Sequence, residues 1–374
     1  MQLHIIPFKG LGFTVIIEGK TGDTTMSEKI KVGLIGLGFM GTTHFDIYKN
    51  NSKAEIVALA DVNPAKLKGD VSSVIGNIGG GDNSKPLNLK GIRTYANAID
   101  LINDPDVQLV DICAPTVYHC DLAIAALKAG KHVLCEKPVA RTAKDAAKIL
   151  AAAKKAKGFF SVGMCIRYWP EYVYAREFFK SGKAGKLVSA NFRRLSPNIK
   201  GNAWKDWFTN GEMSGGALLD LHLHDTDEVL YFFGKPKAVT SFGTNDFRTN
   251  GGCDHVVTNY DFGNGSLIVA EGGWAAAKTV GFEMSFQIIC RKATIKLDSN
   301  GLVIHHENGK TEKPSFANEL PTGWHKEIDY MLASIISRKK PTKYAEAEEY
   351  LQAMRIIEAE QKSVDTGKKV NIKY

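Results

Sequence analysis

A glycine-rich turn directly after an apolar strand is the feature that most constrains the fold of this chain. Residues 30–35 form a β-branched apolar run, which is followed at once by the motif Gly36-Leu37-Gly38-Phe39-Met40-Gly41. A GxGxxG turn that opens a helix brings backbone N–H groups to a helix N-terminus, where they bind phosphate. A helix is predicted over residues 39–49. The pattern therefore predicts a parallel sheet whose first strand leads into a dinucleotide-binding turn.

Each glycine of this motif has a separate predicted role. Gly36 permits the tight turn, Gly38 lets the backbone approach a pyrophosphate, and Gly41 lets the helix pack on the strand. The N–H groups of Phe39 and Met40 would then point at the phosphates. A helix dipole favours anions at the same place.

A carboxylate stands at the end of the next predicted strand, residues 56–60. Asp61 lies twenty residues past Gly41, at the distance where an acid accepts hydrogen bonds from the adenosine ribose diol. A carboxylate in that position repels a 2′-phosphate. The predicted cofactor is therefore NAD, with NADP less favoured.

Strand and helix patterns alternate from residue 30 to about residue 150, and the pattern changes near residue 159. The first part predicts a parallel sheet with helices on both faces. Later strands follow one another directly, separated by turn signals such as Gly263-Asn264-Gly265 and Asn300-Gly301, which predicts an open, mostly antiparallel sheet. We expect an α/β protein with a dinucleotide-binding domain at residues 26–150 and an α/β domain at residues 151–374.

The first 25 residues differ from the rest of the chain. Their short apolar pieces are broken by Lys9, Gly10 and Gly12, and they lack the basic region and continuous apolar stretch of a signal peptide. Met26 leads directly into the first strand and is a plausible start. We expect residues 1–25 to be a poorly ordered appendage, with a weak export signal as the alternative.

Composition excludes several classes of protein. The chain has 374 residues, 44% of them apolar and 24% charged, which is ordinary for a globular protein of two domains. Its net charge of +8 comes from lysines interleaved with carboxylates, so no nucleic-acid partner is predicted. No apolar run approaches the roughly 18 residues of a membrane span. The six cysteines lack CxxC spacing and indicate a reducing, cytoplasmic compartment.

A lysine follows a later strand pattern. The apolar residues 133–135 end in Glu136-Lys137-Pro138, about a hundred residues after the glycine turn. At the mouth of a dinucleotide crevice, a lysine can hold a substrate hydroxyl and help to move its proton. The alternative is a surface lysine before a turn proline.

A polar stripe runs along the helix predicted over residues 214–233. Asp220, His224 and Asp227 recur at positions i, i+4 and i+7, apart from the apolar residues. A carboxylate one turn from an imidazole can orient it and raise its pKa, which suits a general acid or base. A purely structural pair is the alternative. A metal site with His222 is not predicted, because residues two apart on a helix point about 200° apart.

Together these motifs resemble the Gfo/Idh/MocA superfamily, the glucose–fructose oxidoreductase and inositol dehydrogenase type of NAD(P)-dependent oxidoreductase. The resemblance covers residues 30–366 and rests on the glycine turn, Ala114-Pro115-Thr116 with His119, residues 129–138, Val162-Gly163 with Arg167, and residues 215–220 with His224 and Asp227. It implies a Rossmann domain followed by an α/β domain whose open sheet carries the substrate site and a subunit interface. A homodimer or homotetramer through that sheet is therefore expected.

The resemblance also implies roles for single residues. Lys137 would contact the nicotinamide ribose and the substrate, His224 would take the hydroxyl proton, and Asp220 would contact substrate and support the histidine. The predicted cofactor contacts also include Ala114, Pro115, Thr116, His119, Glu136 and Arg167. Further predicted substrate contacts are Arg167, Trp204, Lys205, His222 and His325. Many family members carry glycine in place of His222, and Lys137-Pro138 is a candidate for a cis peptide.

These roles imply a dehydrogenase or reductase acting on a secondary alcohol or ketone of a sugar, polyol or sugar derivative. Lys137 and His224 would handle the hydroxyl proton, and which of them is the formal base stays open. One alternative is an NAD-dependent glycosidase that works by transient oxidation and elimination. The other alternative is a non-catalytic regulator that binds a dinucleotide. The joint presence of Lys137, Asp220 and His224 argues against it.

Overall fold

The structure is a computed structural model that describes residues 29–76, 85–197, 204–245, 247–344 and 346–374. The side chains of Trp204 and Lys205 lie outside the described residues, as does the predicted appendage at residues 1–25. Within these ranges, no helix is long and apolar enough to cross a membrane.

The first part of the chain forms a parallel sheet with crossover helices. Its elements are β1 (Ile30–Ile35), α1 (Phe39–Lys49), β2 (Ala54–Ala60), β3 (Arg93–Tyr95), α2 (Ala98–Asn103), β4 (Leu109–Ile112), α3 (His119–Lys128), β5 (His132–Glu136), α4 (Ala143–Lys155) and β6 (Phe160–Gly163). The strand order is β3-β2-β1-β4-β5-β6, and every pair is parallel. The chain reverses direction across the sheet between β1 and β4, which opens the crevice where dinucleotides bind in such sheets. The predicted Rossmann architecture is confirmed.

This sheet extends past the boundary predicted at residue 150. β6 pairs with β5, and Gly163 lies opposite Glu136. The preceding helix α4 is the crossover that returns the chain to the sheet, so β6 belongs to the first domain rather than to the second. We therefore draw the boundary after Gly163.

The second part forms a nine-stranded sheet with helices on one face. Its elements are α5 (Pro170–Lys180), β7 (Leu187–Pro197), α6 (Gly211–Ser214), α7 (Leu223–Phe233), β8 (Ala238–Asn245), β9 (Cys253–Asp261), β10 (Leu267–Ala276), β11 (Glu283–Cys290), β12 (Ala293–Asp298), β13 (Gly301–His306), β14 (Thr311–Glu312), α8 (Gly323–Ser337), α9 (Ala347–Thr366) and β15 (Val370–Asn371). The order is β14-β13-β12-β11-β7-β10-β9-β8-β15. All neighbouring pairs are antiparallel except β7 and β10, which run parallel. The mostly antiparallel sheet predicted from sequence is confirmed.

Helices α7 and α9 pack on one face of this sheet, and the other face carries exposed apolar side chains. Phe242 is 67% exposed and Leu267 is 65% exposed, and Val257 and Ile289 are also exposed. The strand register places all four on the same face. The second sheet is therefore open on the side opposite its helices.

The helix predicted over residues 214–233 is interrupted. Gly215 and Gly216 have positive φ angles of 83° and 71°, a backbone conformation that an α-helix cannot continue through. A π-helical turn follows at Leu218–His222 and then α7. Turns of this kind are frequent at functional sites because they redirect side chains.

Helix α8 belongs to the second half of the sequence but packs on the first domain. Its residues Ile328, Met331 and Leu332 are buried in one apolar cluster with side chains of β1, α1 and β2. The core of the parallel-sheet domain is therefore closed by a segment from near the end of the chain.

Candidate active site

The turn between β1 and α1 has the geometry expected of a phosphate cradle. Gly36 has a φ of +90°, and a Cβ atom on Gly41 would lie 1.8 Å from the Gly36 carbonyl oxygen. At Gly38 a Cβ would meet no atom within 4 Å, so this glycine faces open space. The first turn of α1 has no acidic residue and Gly38 supplies no side-chain cap. Its N–H groups are thus available to an anion.

Asp61 connects the end of β2 to this turn. One carboxylate oxygen accepts a hydrogen bond from the Leu37 N–H at 2.7 Å, and the other accepts one from the Asn63 N–H at 2.8 Å. Each oxygen keeps a second lone pair for a ligand. The open cradle and the fixed carboxylate together fit NAD, with phosphates at the helix N-terminus and the ribose diol at Asp61.

The loop after β4 is held against the turn after β5 by a histidine. The two ring nitrogens of His119 lie 2.7 Å from the carbonyl oxygens of Pro138 and Ala114. His119 and Thr116 are buried, and Lys137-Pro138 is a cis peptide, as the resemblance implies. His119 therefore joins two loops that the sequence predicted to lie near the cofactor.

Lys137 connects the two domains. Its Nζ donates to the Asp220 backbone carbonyl at 2.9 Å and to the Asp220 carboxylate at 3.3 Å. These two bonds use two of the three N–H donors of an ammonium group. The third donor remains for a ligand in the cleft that both residues border.

His224 lies one turn beyond Asp220 and lines the same cleft. Burial, and then the positive charges of Lys137 and Arg194, lower the pKa of His224 well below its ordinary value. The sequence-based expectation that Asp220 raises this pKa is not met, because the Asp220 carboxylate bonds to Lys137 instead. His224 is therefore a neutral imidazole.

The cleft between the domains has a volume of about 140 Å³. It joins Phe39 and Met40 of the glycine turn to the Lys137, Asp220 and His224 group. Its other walls are largely aromatic or apolar and consist of Ile75, Gly76, Cys165, Ile166, Trp169, Phe208, Leu221, Trp274, Phe282, Met284 and Trp324, with Glu136 and Arg194 as the remaining charged groups.

Sequence reasoning missed the tryptophans of this cleft. Trp169, Trp274 and Trp324 line it, which is three of the five tryptophans in the chain. The indole N–H of Trp274 donates to Thr249 and Asp254, so its ring position is fixed. A usable signal was Gly272-Gly273 just before Trp274, since glycine inside a strand often marks close approach of a ligand or backbone.

Arg167 lies outside the cleft. Its guanidinium is fully buried and donates to both carboxylate oxygens of Asp227 at 2.7 and 2.8 Å, and to Glu349 at 2.7 Å. Arg167, predicted to contact substrate and cofactor, instead forms ion pairs that connect residues 165–168 to α7 and α9. Asp227 of the predicted polar stripe belongs to this pair.

His222 is also directed away from the cleft. Its Nε2 lies 3.3 Å from the Tyr260 hydroxyl and 3.4 Å from the Glu360 carboxylate. Burial, with the charges of Arg194 and His255, lowers the pKa of His222 to about 3, and burial raises that of Glu360 to about 8. A neutral histidine and a protonated glutamic acid therefore pack together between the π-helical turn and α9.

His325 is not among the residues that line the cleft. The Nδ1 of His325 is 2.8 Å from the Thr322 hydroxyl at the start of α8, beside the cleft residue Trp324. Trp204 and Lys205 have side chains outside the described residues.

Among the described residues, the clusters of metal-ligating type are His44 with Asp111 and Cys113, and His44 with Glu136 and Glu327. Neither includes a histidine of the cleft.

Comparison with known protein families assigns both domains. Residues 30–164 match the model described as an oxidoreductase family with an NAD-binding Rossmann fold. Residues 172–296 match the Gfo/Idh/MocA C-terminal domain. The two matches cover most of the chain and agree with the division after Gly163.

Curated relatives include inositol dehydrogenases. The chain is 34% identical over 170 residues to an inositol 2-dehydrogenase/D-chiro-inositol 3-dehydrogenase of Lactiplantibacillus plantarum, a match that covers 44% of each sequence. It is 26% identical to a myo-inositol 2-dehydrogenase of Thermotoga maritima over 72% of this chain and 75% of the relative. The first match thus spans less than half of that relative's length.

Solved structures share the fold over nearly the whole chain. A levoglucosan dehydrogenase in complex with NADH and levoglucosan has a TM-score of 0.77 at 22% identity, and covers 93% of this chain and 100% of that structure. The myo-inositol 2-dehydrogenase of Lactobacillus plantarum has a TM-score of 0.75 at 23% identity, with coverages of 92% and 100%. At these identities the likeness establishes the architecture.

Proposed function

The chain belongs to the Gfo/Idh/MocA family of oxidoreductases, and on that premise we propose that it moves a hydride between NAD and a secondary alcohol carbon of a sugar or polyol. The observation that carries this proposal is the position of a neutral imidazole and an ammonium group on one cleft with the dinucleotide turn. Relatives named as inositol dehydrogenases and a fold neighbour named as levoglucosan dehydrogenase support the substrate class.

In the proposed reaction, bound NAD supplies the nicotinamide ring that accepts the hydride. His224 accepts the proton of the substrate hydroxyl, because its imidazole is neutral before reaction. Lys137 donates its third N–H to the same oxygen and stabilises the negative charge that develops there. The aromatic walls exclude water from this oxygen, which strengthens both interactions.

Asp220 has a positioning role in this scheme. Its carbonyl and carboxylate oxygens both accept hydrogen bonds from the Lys137 ammonium, which fixes the direction of the nitrogen. This arrangement supports a division of labour in which His224 is the formal base and Lys137 is the electrostatic partner.

Replacement of the two groups tests the proposal. We expect Lys137→Ala and His224→Ala each to lower kcat for the true substrate by about 10²-fold or more, the usual scale for acid–base groups, while NAD still binds. The substrate would first be found by screening polyols, sugars and keto-sugars, with reduced nicotinamide followed by absorbance. Matched controls are Lys128→Ala and His305→Ala, two exposed positions outside the cleft. Near-normal turnover in both cleft variants would refute the assignment.

The same assay distinguishes a dehydrogenase from the alternative, an NAD-dependent glycosidase. A dehydrogenase accumulates reduced nicotinamide in proportion to product. Glycoside cleavage without accumulation of NADH would instead point to transient oxidation and elimination.

We also propose that the open face of the second sheet is a subunit interface. Its support is a set of exposed apolar side chains, Phe242, Val257, Leu267 and Ile289, on one face of β8, β9, β10 and β11, with β7 between the last two. Arg193 lies on the same face and forms ion pairs with Glu271 and Glu283, giving the surface the mixed apolar and charged character of an interface.

A further inference from the structure

A buried cluster of ionisable side chains lies next to Lys137 and is not used by the proposed chemistry. Its members come from four elements, His44 from α1, Asp111 from β4, Glu136 from β5 and Glu327 from α8. None is more than 4% exposed. Three carboxyl groups and one imidazole thus share a buried site.

His44 is the cation of this cluster. Its Nδ1 lies 2.8 Å from the Asp111 carboxylate, and its Nε2 lies 3.3 Å from Glu136 Oε1. Burial lowers the pKa of His44, but the charge of Asp111, its hydrogen bond and the contributions of Cys113 together outweigh burial and raise that pKa well above the ordinary value. The imidazolium is therefore located between Asp111 and Glu136.

Glu136 is held from two further sides. Its Oε2 accepts the backbone N–H of Lys137 at 2.9 Å. A Cβ atom on Gly163, its neighbour in β6, would lie 3.0 Å from Oε1, so the glycine leaves room for the carboxylate. The orientation of Glu136 therefore fixes the peptide unit from which the Lys137 side chain starts.

Glu327 approaches this cluster from α8, and no group among the described residues donates a hydrogen bond to it. Neither of its carboxylate oxygens has a partner among the described residues, and Oε1 is 4.0 Å from His44 Nε2. Two carboxylates in one buried site do not both ionise, so one of them keeps a proton. Glu136 accepts the Lys137 N–H and lies 3.3 Å from His44 Nε2, whereas Glu327 accepts no hydrogen bond among the described residues and is farther from that nitrogen. A carboxylate oxygen of Glu327 lies within 4.8 Å of one of Glu136, so we assign the proton to Glu327.

The electrostatics of the surrounding groups agree with this assignment. Burial and the negative charge of Glu136 raise the pKa of Glu327 well above its ordinary value. Burial likewise raises the pKa values of Tyr48, Cys113 and Cys165, so these neighbours are neutral.

We propose that Glu327 is a positioning residue for Lys137: its protonated carboxyl group donates a hydrogen bond to Glu136, which in turn holds the Lys137 backbone. The proposal rests on the catalytic role of Lys137 proposed above. It makes the docking of α8 on the first domain a condition for correct placement of the lysine.

Two substitutions at one position test the hydrogen bond. Glu327→Gln keeps the volume and an N–H donor, and we expect it to retain kcat within about threefold. Glu327→Ala removes the donor, and we expect kcat to fall by about 10- to 100-fold, the scale of a small misplacement in an active site. KM and the dissociation constant for NAD should change little in both. Equal loss in the two variants, or no loss in Glu327→Ala, would overturn the proposal.

Thermal stability gives a readout that does not depend on activity. The pKa of Glu327 is raised in the folded chain above an ordinary value of 4.5, so its favourable contribution is complete below pH 4.5 and is lost as the pH rises. Glutamine does not titrate. The Tm of Glu327→Gln should therefore exceed that of the native chain at neutral pH, with the difference shrinking toward pH 4.5.

A lower Tm for Glu327→Gln at neutral pH would mean that an ionised Glu327 is needed. One such case is a bound metal ion, which would take the place of the proton on Glu327. Measurement of metal in the purified native chain and in Glu327→Gln would identify it, because the native chain would hold a stoichiometric amount that the variant lacks. If Lys137→Ala itself keeps full turnover, the proposed function fails, and the pH dependence of Tm still tests the proton on Glu327.

Discussion

Two side chains of the cleft, Lys137 and His224, depend on their surroundings for their position or their charge state. Lys137 Nζ donates hydrogen bonds to two oxygens of Asp220. His224 has a buried Nδ1 without a hydrogen-bond partner among the described residues, and it is neutral because burial and two nearby cations disfavour its protonated form. In the proposed reaction, the pair would present a neutral imidazole and an ammonium group to one bound oxygen.

Comparison of single residues also shows which site residues could be predicted from the sequence and which could not. Lys137, Asp220 and His224 stand in motifs whose resemblance to the family implies one common crevice. Arg167 and His222 have the same kinds of side chain, and only their burial against Asp227 and Glu360 separates them from cleft residues. Those partners are 60 and 138 residues away in the sequence, so no local pattern could reveal them.

Asp61 should set the choice between the two dinucleotides. In Asp61→Asn the side chain keeps an acceptor oxygen but loses the charge that repels a 2′-phosphate. We expect the ratio of the NADP to the NAD dissociation constant to fall by roughly tenfold, the scale of one hydrogen bond to a charged group. Calorimetric titration with each dinucleotide measures the two dissociation constants. An unchanged ratio would mean that Asp61 does not contact the ribose.

At the scale of elements, long periodic segments were predictable and short ones were not. The predicted bounds of β1 and α1 are those observed, because the glycine motif defines the end of one and the start of the other. The sequence analysis missed β3, α2, β14 and β15, which have between two and six residues. Such elements form because neighbouring strands and helices supply their hydrogen bonds and packing, which a short pattern does not encode.

The buried ion pair of Arg167 should have a large effect on stability. Arg167→Ala leaves the Asp227 carboxylate, which is 1% exposed, without its partner, and we expect a loss of about 3–5 kcal/mol in the free energy of unfolding. Denaturant titration measures this loss. Lys154→Ala is the control, because its pair with Glu348 is largely exposed and such pairs contribute little. Similar losses in both variants would contradict the structural role of Arg167.

At the scale of the whole molecule, the open sheet face predicts self-association. Phe242→Glu combined with Leu267→Glu places two charges among the exposed apolar side chains, and we expect the oligomer to dissociate to monomers. Light scattering after size-exclusion chromatography gives the mass. Ile99→Glu, an exposed apolar position on α2, is the control and should leave the mass unchanged. A native chain that is itself monomeric would contradict the proposed interface.

The location of α8 also bears on how the chain acquires its structure during synthesis. All six strands of the parallel sheet have been made once Gly163 has left the ribosome, yet Ile328, Met331 and Leu332 are still missing from its core. The nascent first domain therefore exposes an apolar surface until almost the whole chain has emerged, and such surfaces are the ones that chaperones recognise. The boundary between the sheets does not divide the protein into two independent folding units, because the first domain is complete only when the last third of the chain has been made.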